Sequence, residues 1–300
     1  MSSANAADQV TVPLRTRLAA RGLDQLTLLV APAALFVLAL FVYPFFYGLW
    51  LSFHPKTGPA LANYTHFFSD EFYYSTLWTT LRLALPATLL DMLLAVPIAL
   101  QVRHLRHQRI LTTILVIPVT LGTVLIAEGL MNYLGPQGWV SRTLMGIGLI
   151  SSPVKLLHNY WGVFIAMVLA GFPFTFLLTL SYLSGIDPGL ERAAATLGAG
   201  PWQRFRHVLL PLLAPGLAIT FCLSFVQEFS VFPSAVLLGA PAGPTRTISI
   251  VAYQAAYEYY DYSLATAIAM IMAGALLCVV VAVLMLRRLF YRGSVAAAKG

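Results

Sequence analysis

Charge is what this sequence has least of. Only 10% of its 300 residues are charged, while 59% are hydrophobic. A water-soluble domain carries about 25% charged residues, so this chain cannot cover a surface that faces water on every side. Its mean hydropathy of +0.80 makes lipid the solvent for most of it. Cysteine is nearly missing. Cys222 and Cys278 both stand inside apolar runs, which reads as packed thiols and not as a disulfide or metal pair. The six histidines lack metal-ligand spacing, and His104 and His107 sit among arginines as a solvated face. No Gly-x-x-x-x-Gly-Lys-[Ser/Thr] phosphate loop occurs, so the chain is not expected to hydrolyse ATP. No Ser/His/Asp set or paired catalytic carboxylates stand out, and no cofactor is expected. No small-x-small cleavage site follows the first apolar run closely, so that run reads as a retained span.

What the sequence does have is long apolar runs. A helix needs roughly 20 mostly apolar residues to cross the hydrocarbon. Six stretches qualify, at about 26–52, 75–102, 110–133, 160–183, 212–238 and 263–286. The fold class predicted is therefore all-α, a membrane protein with six transmembrane helices. Pro44, Pro86, Pro97 and Pro118 interrupt some runs, which a span tolerates when neighbours satisfy the freed carbonyls.

Six spans put both termini on one side, and the positive-inside rule says which. With the N-terminus cytoplasmic, 13 of the 18 Lys and Arg residues lie inside. Lys56, Arg142, Lys155 and Arg246 lie outside, and Arg82 falls within a span. The net charge of +7 is thus assigned to arginine-rich cytoplasmic loops and not to nucleic-acid binding. The predicted organisation is a cytoplasmic N-terminal tail (1–25), a six-span domain (26–290) and a cytoplasmic C-terminal tail (291–300). Segment 134–159 is expected outside, as a short helix on the outer interface. Asp70, Glu71, Glu258 and Asp261 stand among tyrosines and phenylalanines, as in an interfacial belt.

One polar insert breaks the pattern: the cytoplasmic loop 184–211, which contains DPGLERAAATLGAGPWQRFRHVLLP. Asp187 can cap a helix with Pro188 at its first position and Glu191 in its first turn. Leu190, Ala193, Ala194 and Leu197 then share a face. Gly198, Ala199 and Gly200 end that helix, and Pro201 starts a second one. There Trp202 and Phe205 project from one side, flanked by Arg204 and Arg206, before Pro211 and Pro215 close it and begin span five. An interfacial linker resting on headgroups is one reading. A docking helix is the other, favoured by small alanines and an aromatic knob with basic neighbours.

This loop resembles the "EAA" loop in permease subunits of type I, binding-protein-dependent ATP-binding-cassette importers. Ala193, Ala194, Gly198, Val208, Leu210 and Pro211 stand at the family's spacing. Arg192 occupies the motif glutamate position, and Glu191 stands one residue earlier. The resemblance spans about residues 26–290. It implies that a coupling helix around 191–206 seats in a separate cytoplasmic ATPase subunit. It implies a second permease, as a homo- or heterodimer, and an extracytoplasmic solute-binding protein, in a bacterial inner membrane. The stretches around 172–194 and 230–241 resemble permeases for polyamines, opines, aminoalkylphosphonates or ferric iron.

Ionisable residues inside spans are functional candidates. Arg82 and Asp91 in span two, Glu128 in span three and Glu228 in span five qualify, with Gln227 beside the last. Glu228 is expected near mid-span and is the foremost candidate for lining a solute path. Carboxylates there suit a cationic solute or, with Arg82, a zwitterion. Phe172, Phe174, Phe176, Phe225, Phe229 and Phe232 are expected mainly to pack. The alternative function is an ion-coupled secondary transporter.

Overall fold

The computed structural model describes residues 25–153 and 155–290. The tails expected over 1–25 and 291–300, with their cations, lie outside the described residues, except for Gln25. Among the described residues there is no strand, and six helices are long and apolar enough to cross a membrane.

The chain divides at residue 51 into two units. The first is a single helical rod: α1 (Gln25–Val37), a π-helical turn (Leu38–Val42) and α2 (Tyr43–Ser52). The second contains the other five candidate spans and the short helices between them. They are α3 (Ala62–Ser69), α4 (Glu71–Val102), α5 (Gln108–Leu134), α6 (Trp139–Gly146) and α7 (Tyr160–Ser184). Then follow α8 (Pro188–Thr196), α9 (Pro201–Arg204), a π-helical turn (Phe205–Leu209) and α10 (Leu210–Phe229). Last come α11 (Pro233–Leu237), α12 (Ile248–Tyr253), a further π-helical turn (Gln254–Glu258) and α13 (Tyr262–Phe290). The short helix expected in 134–159 is α6.

Helices α4, α7 and α10 form the centre of the second unit, with α5 against α7 and α13 against α10. Two apolar clusters fill this centre. One joins Leu83, Ala87, Met167, Phe225 and Phe229 to residues of α12 and α13. The other, nearer the 184–211 loop, joins Ala95, Ala99, Phe176, Leu183 and Leu213.

Prolines inside the spans explain several local features. Pro86 lacks the N–H that would bond the carbonyl of Arg82 in α4. The Tyr160 hydroxyl of α7 donates to that carbonyl instead, at 2.8 Å. Pro44 and Pro211 each follow a π-helical turn, where Tyr43 N–H donates to Leu38 O and Leu210 N–H to Phe205 O. The carbonyl that each proline ring would crowd, four residues back, lies in the widened turn.

Span five differs from expectation. The helix runs unbroken across residues 201–229, so Pro211 does not close it, and it stops well short of 238. The helix ends at Phe229, where Ser230 Oγ bonds the Val226 carbonyl, and Pro233 starts the next helix from a non-helical Phe232. The segment from 233 to 237 is a separate short helix.

The Tyr160 bond gives a direct test. Tyr160→Phe keeps the ring and orphans the Arg82 carbonyl, at a cost of about 1–2 kcal/mol. Thermal melts in detergent are expected to show a midpoint several degrees lower.

Candidate functional site

Between the two apolar clusters lies a polar layer built from three helices. Asp91 faces inward from α4 and is wholly buried, and neither of its oxygens has a hydrogen-bond partner among the described residues. Glu228, 4% exposed, comes from the last turn of α10. Both carboxylates converge on Gly171 of α7. A Cβ there would overlap Glu228 Oε1 and lie 2.6 Å from Asp91 Oδ2. Glycine thus leaves the space that the two acids fill. Beside them, Thr175 of α7 and Ser224 of α10 share a hydrogen bond of 2.8 Å.

Glu228 stands in the last turn of α10, which ends one residue later. It lines a small cavity of about 100 Å³ with Gln227, Thr123, Met167 and residues of the break at 230–234. A wider cavity of about 830 Å³ lies between α5 and α7 toward the loop end. Its wall carries Gln108, Thr112, Thr113, Thr120, Ser181 and Ser184. The two cavities approach each other around Gly122, since Thr120 lines one and Thr123 the other. Gly122 has φ 74 and ψ 161, a region essentially closed to other residues, and it kinks α5.

The five expected path residues therefore separate. Asp91 and Glu228 come together at Gly171, and Gln227 shares the small cavity with Glu228 alone. Glu128 is exposed on α5, and Arg82 is exposed on α4, away from the small cavity. Of the phenylalanines, Phe176, Phe225 and Phe229 are core, while Phe232 lines the cavity. The hydroxyl wall of α5 went unread in the sequence. Its signal was Gln108, Thr112 and Thr120 at multiples of four, one helical face.

The loop 184–211 is held rigidly. Asp187 accepts from Gly189 N–H at 2.8 Å and caps α8. Arg103, just past α4, donates to Glu191 Oε1 and to the Ile186 carbonyl, both at 2.8 Å. Their side chains are 8% and 15% exposed, so this ion pair is worth more than a surface pair. Gly198 has φ +86, which lets the chain reverse between α8 and α9. Leu197 beside it is 89% exposed and Trp202 67%. Trp202 and Phe205 touch, with ring centroids 5.5 Å apart. They share a side as expected, Trp202 outermost and Phe205 half-buried against the second apolar cluster.

Residues 87–292 match the family described as binding-protein-dependent transport system inner membrane component. The chain belongs to this family. It is a type I importer permease subunit, a non-catalytic inner-membrane component. The permease is 30% identical over 182 residues to the spermidine/putrescine permease PotB of Haemophilus influenzae, covering 60% of this chain and 63% of that one. To the trehalose permease SugA of Mycobacterium tuberculosis it is 28% identical, covering 88% and 87%. To the trehalose/maltose permease MalF of Thermococcus litoralis it is 30% identical, covering 81% and 87%. A chain of a bacterial alginate ABC transporter, in complex with its alginate-bound periplasmic protein, has the same fold. Its TM-score is 0.79 at 22% identity, covering 94% of the permease and 99% of that chain.

Two acids packed together without a donor are costly. Asp91→Asn replaces one of the two acids by an amide of the same shape that can donate to Glu228. It is expected to raise stability by about 1–3 kcal/mol, read as a higher melting midpoint in detergent. Gly171→Leu is expected to do the opposite and to prevent recovery of folded permease.

Proposed function

We propose that the permease forms the path for a small organic cation, delivered by an extracytoplasmic binding protein and driven by separate cytoplasmic ATPase subunits. A polyamine-like solute would meet that description, whereas an opine or an aminoalkylphosphonate is a zwitterion that would present only its cationic end to the acids. The observation that carries the solute class is the convergence of Asp91 and Glu228 beside the cavity. A positive group entering there gains two acceptors at once. Sulfate would be repelled, and a neutral sugar would leave the acids unpaired. PotB, a relative, is named for spermidine and putrescine. The hydroxyl wall of the wider cavity suits polar solutes in general.

The coupling role rests on the loop. Ala193, Ala194, Gly198, Val208, Leu210 and Pro211 stand at the spacing of the family's ATPase-contacting segment, with Arg192 at the motif glutamate position and Glu191 one residue earlier. Leu197 and Trp202 are large apolar side chains exposed at the loop end, which in water marks an interaction surface. A second permease, identical or homologous, completes the assembly. The ion-coupled secondary transporter drawn from the buried acids is set aside by the family match.

Two experiments test this. Tagged permease, solubilised gently from its native membrane, is expected to retain an ATPase subunit and to lose it when residues 191–206 are deleted. The reconstituted assembly is expected to show ATP-dependent spermidine uptake that excess sulfate or trehalose leaves unchanged, and Glu228→Gln is expected to reduce that uptake at least tenfold. Trehalose uptake unaffected by Glu228→Gln would instead assign a sugar. In the same assembly, Gly198→Trp is expected to preserve membrane insertion while ATP hydrolysis continues without uptake.

A further inference from the structure

The docking surface has a charge asymmetry. Glu191 is the one carboxylate between residues 188 and 211. It is turned back onto its own chain, where Arg103 holds it at 2.8 Å and also grips the Ile186 carbonyl. Arg192, the next residue, points the other way. It is exposed and has neither ion pair nor hydrogen bond among the described residues. Arg206 is exposed as well. Between them stand Leu197 and Trp202, with exposed Ala193 and Ala195 allowing a surface to approach closely. The face presented outward is therefore apolar knobs with cations and no free anion.

We infer that this face fits an ATPase groove that is apolar at its floor and carries a carboxylate opposite Arg192. The inference rests on the docking reading above and specifies the partner's chemistry. Arg103 has a separate role as a positioning residue. By engaging Glu191 it removes the one acid between residues 188 and 211 from the interface and fixes α8 to the end of α4, while Asp187 is occupied as the cap of α8. An Arg192 left without an anion in a dry groove would be costly, so a groove of the opposite kind, lined by cations, is excluded. Headgroup phosphates also attract arginine, but a lipid surface has no need of alanines that permit close approach.

The test uses the full permease solubilised with its native ATPase. Arg192→Lys puts an amine at that position, and carbodiimide coupling then joins it to any carboxylate in direct contact. The expected result is an amide between residue 192 and an ATPase Asp or Glu, found by mass spectrometry of the cross-linked peptides. Arg192→Glu is expected to lower co-purified ATPase at least tenfold. The exchange of Arg103→Glu with Glu191→Arg is expected to retain it, whereas Arg103→Glu alone is expected to lose it. ATPase retained by Arg192→Glu, with no cross-link at 192, overturns the inference and leaves the docking reading intact. Absence of ATPase from wild-type preparations overturns both. If loss of Arg192 instead weakens binding of the permease to vesicles containing phosphatidylglycerol and leaves ATPase bound, the face belongs to lipid and the inference fails.

Discussion

Hydrocarbon offers no partner to a backbone N–H or C=O, and the rest of this structure follows from that. Long helices satisfy most groups within themselves. Each departure from the helix needs a substitute, and the substitutes are visible. Pro86 frees a carbonyl that the Tyr160 hydroxyl takes up. Pro44 and Pro211 are preceded by widened turns. Of the two breaks in the spans, 230–232 lines the small cavity, and Gly122 stands between Thr120 and Thr123, which line the wider and the smaller cavity.

The same constraint explains why the carboxylates are informative. Thr80, Thr88, Thr175 and Thr179 are buried, but each hydroxyl is returned to a carbonyl of its own helix. They are polar in composition and neutral in effect. Asp91 has no such internal solution. A group that local geometry cannot satisfy is the one that points beyond the chain.

Hydropathy made the spans legible because membrane crossing is a property of contiguous sequence. It misread 212–238 because composition alone does not register that the helix ends at Phe229 and that Pro233 starts the next one. Caps and reversals at Asp187, Pro188 and Gly198 were legible for the same local reason. The site was legible only as a set of suspects. Asp91, Gly171 and Glu228 belong to three different spans, and only packing brings them together. Arg103 and Glu191 are likewise distant in sequence, so the motif's displaced acid could be seen but not its partner. Glu128 and Arg82 stood near the outer ends of their spans and Asp91 deeper, and burial separates them in the same order.

The Tyr160 bond has a mechanical meaning as well. It ties α7 to a specific carbonyl of α4, so these two helices cannot slide past each other without orphaning that carbonyl in lipid. They act as a stator. On the proposed reading, alternating exposure of the path comes from parts that pivot, and among the described residues the long helices break at Gly122 in α5 and at 230–232 after α10. Both lie beside Glu228, so the acid sits at the bearing of the machine and not on its moving arm.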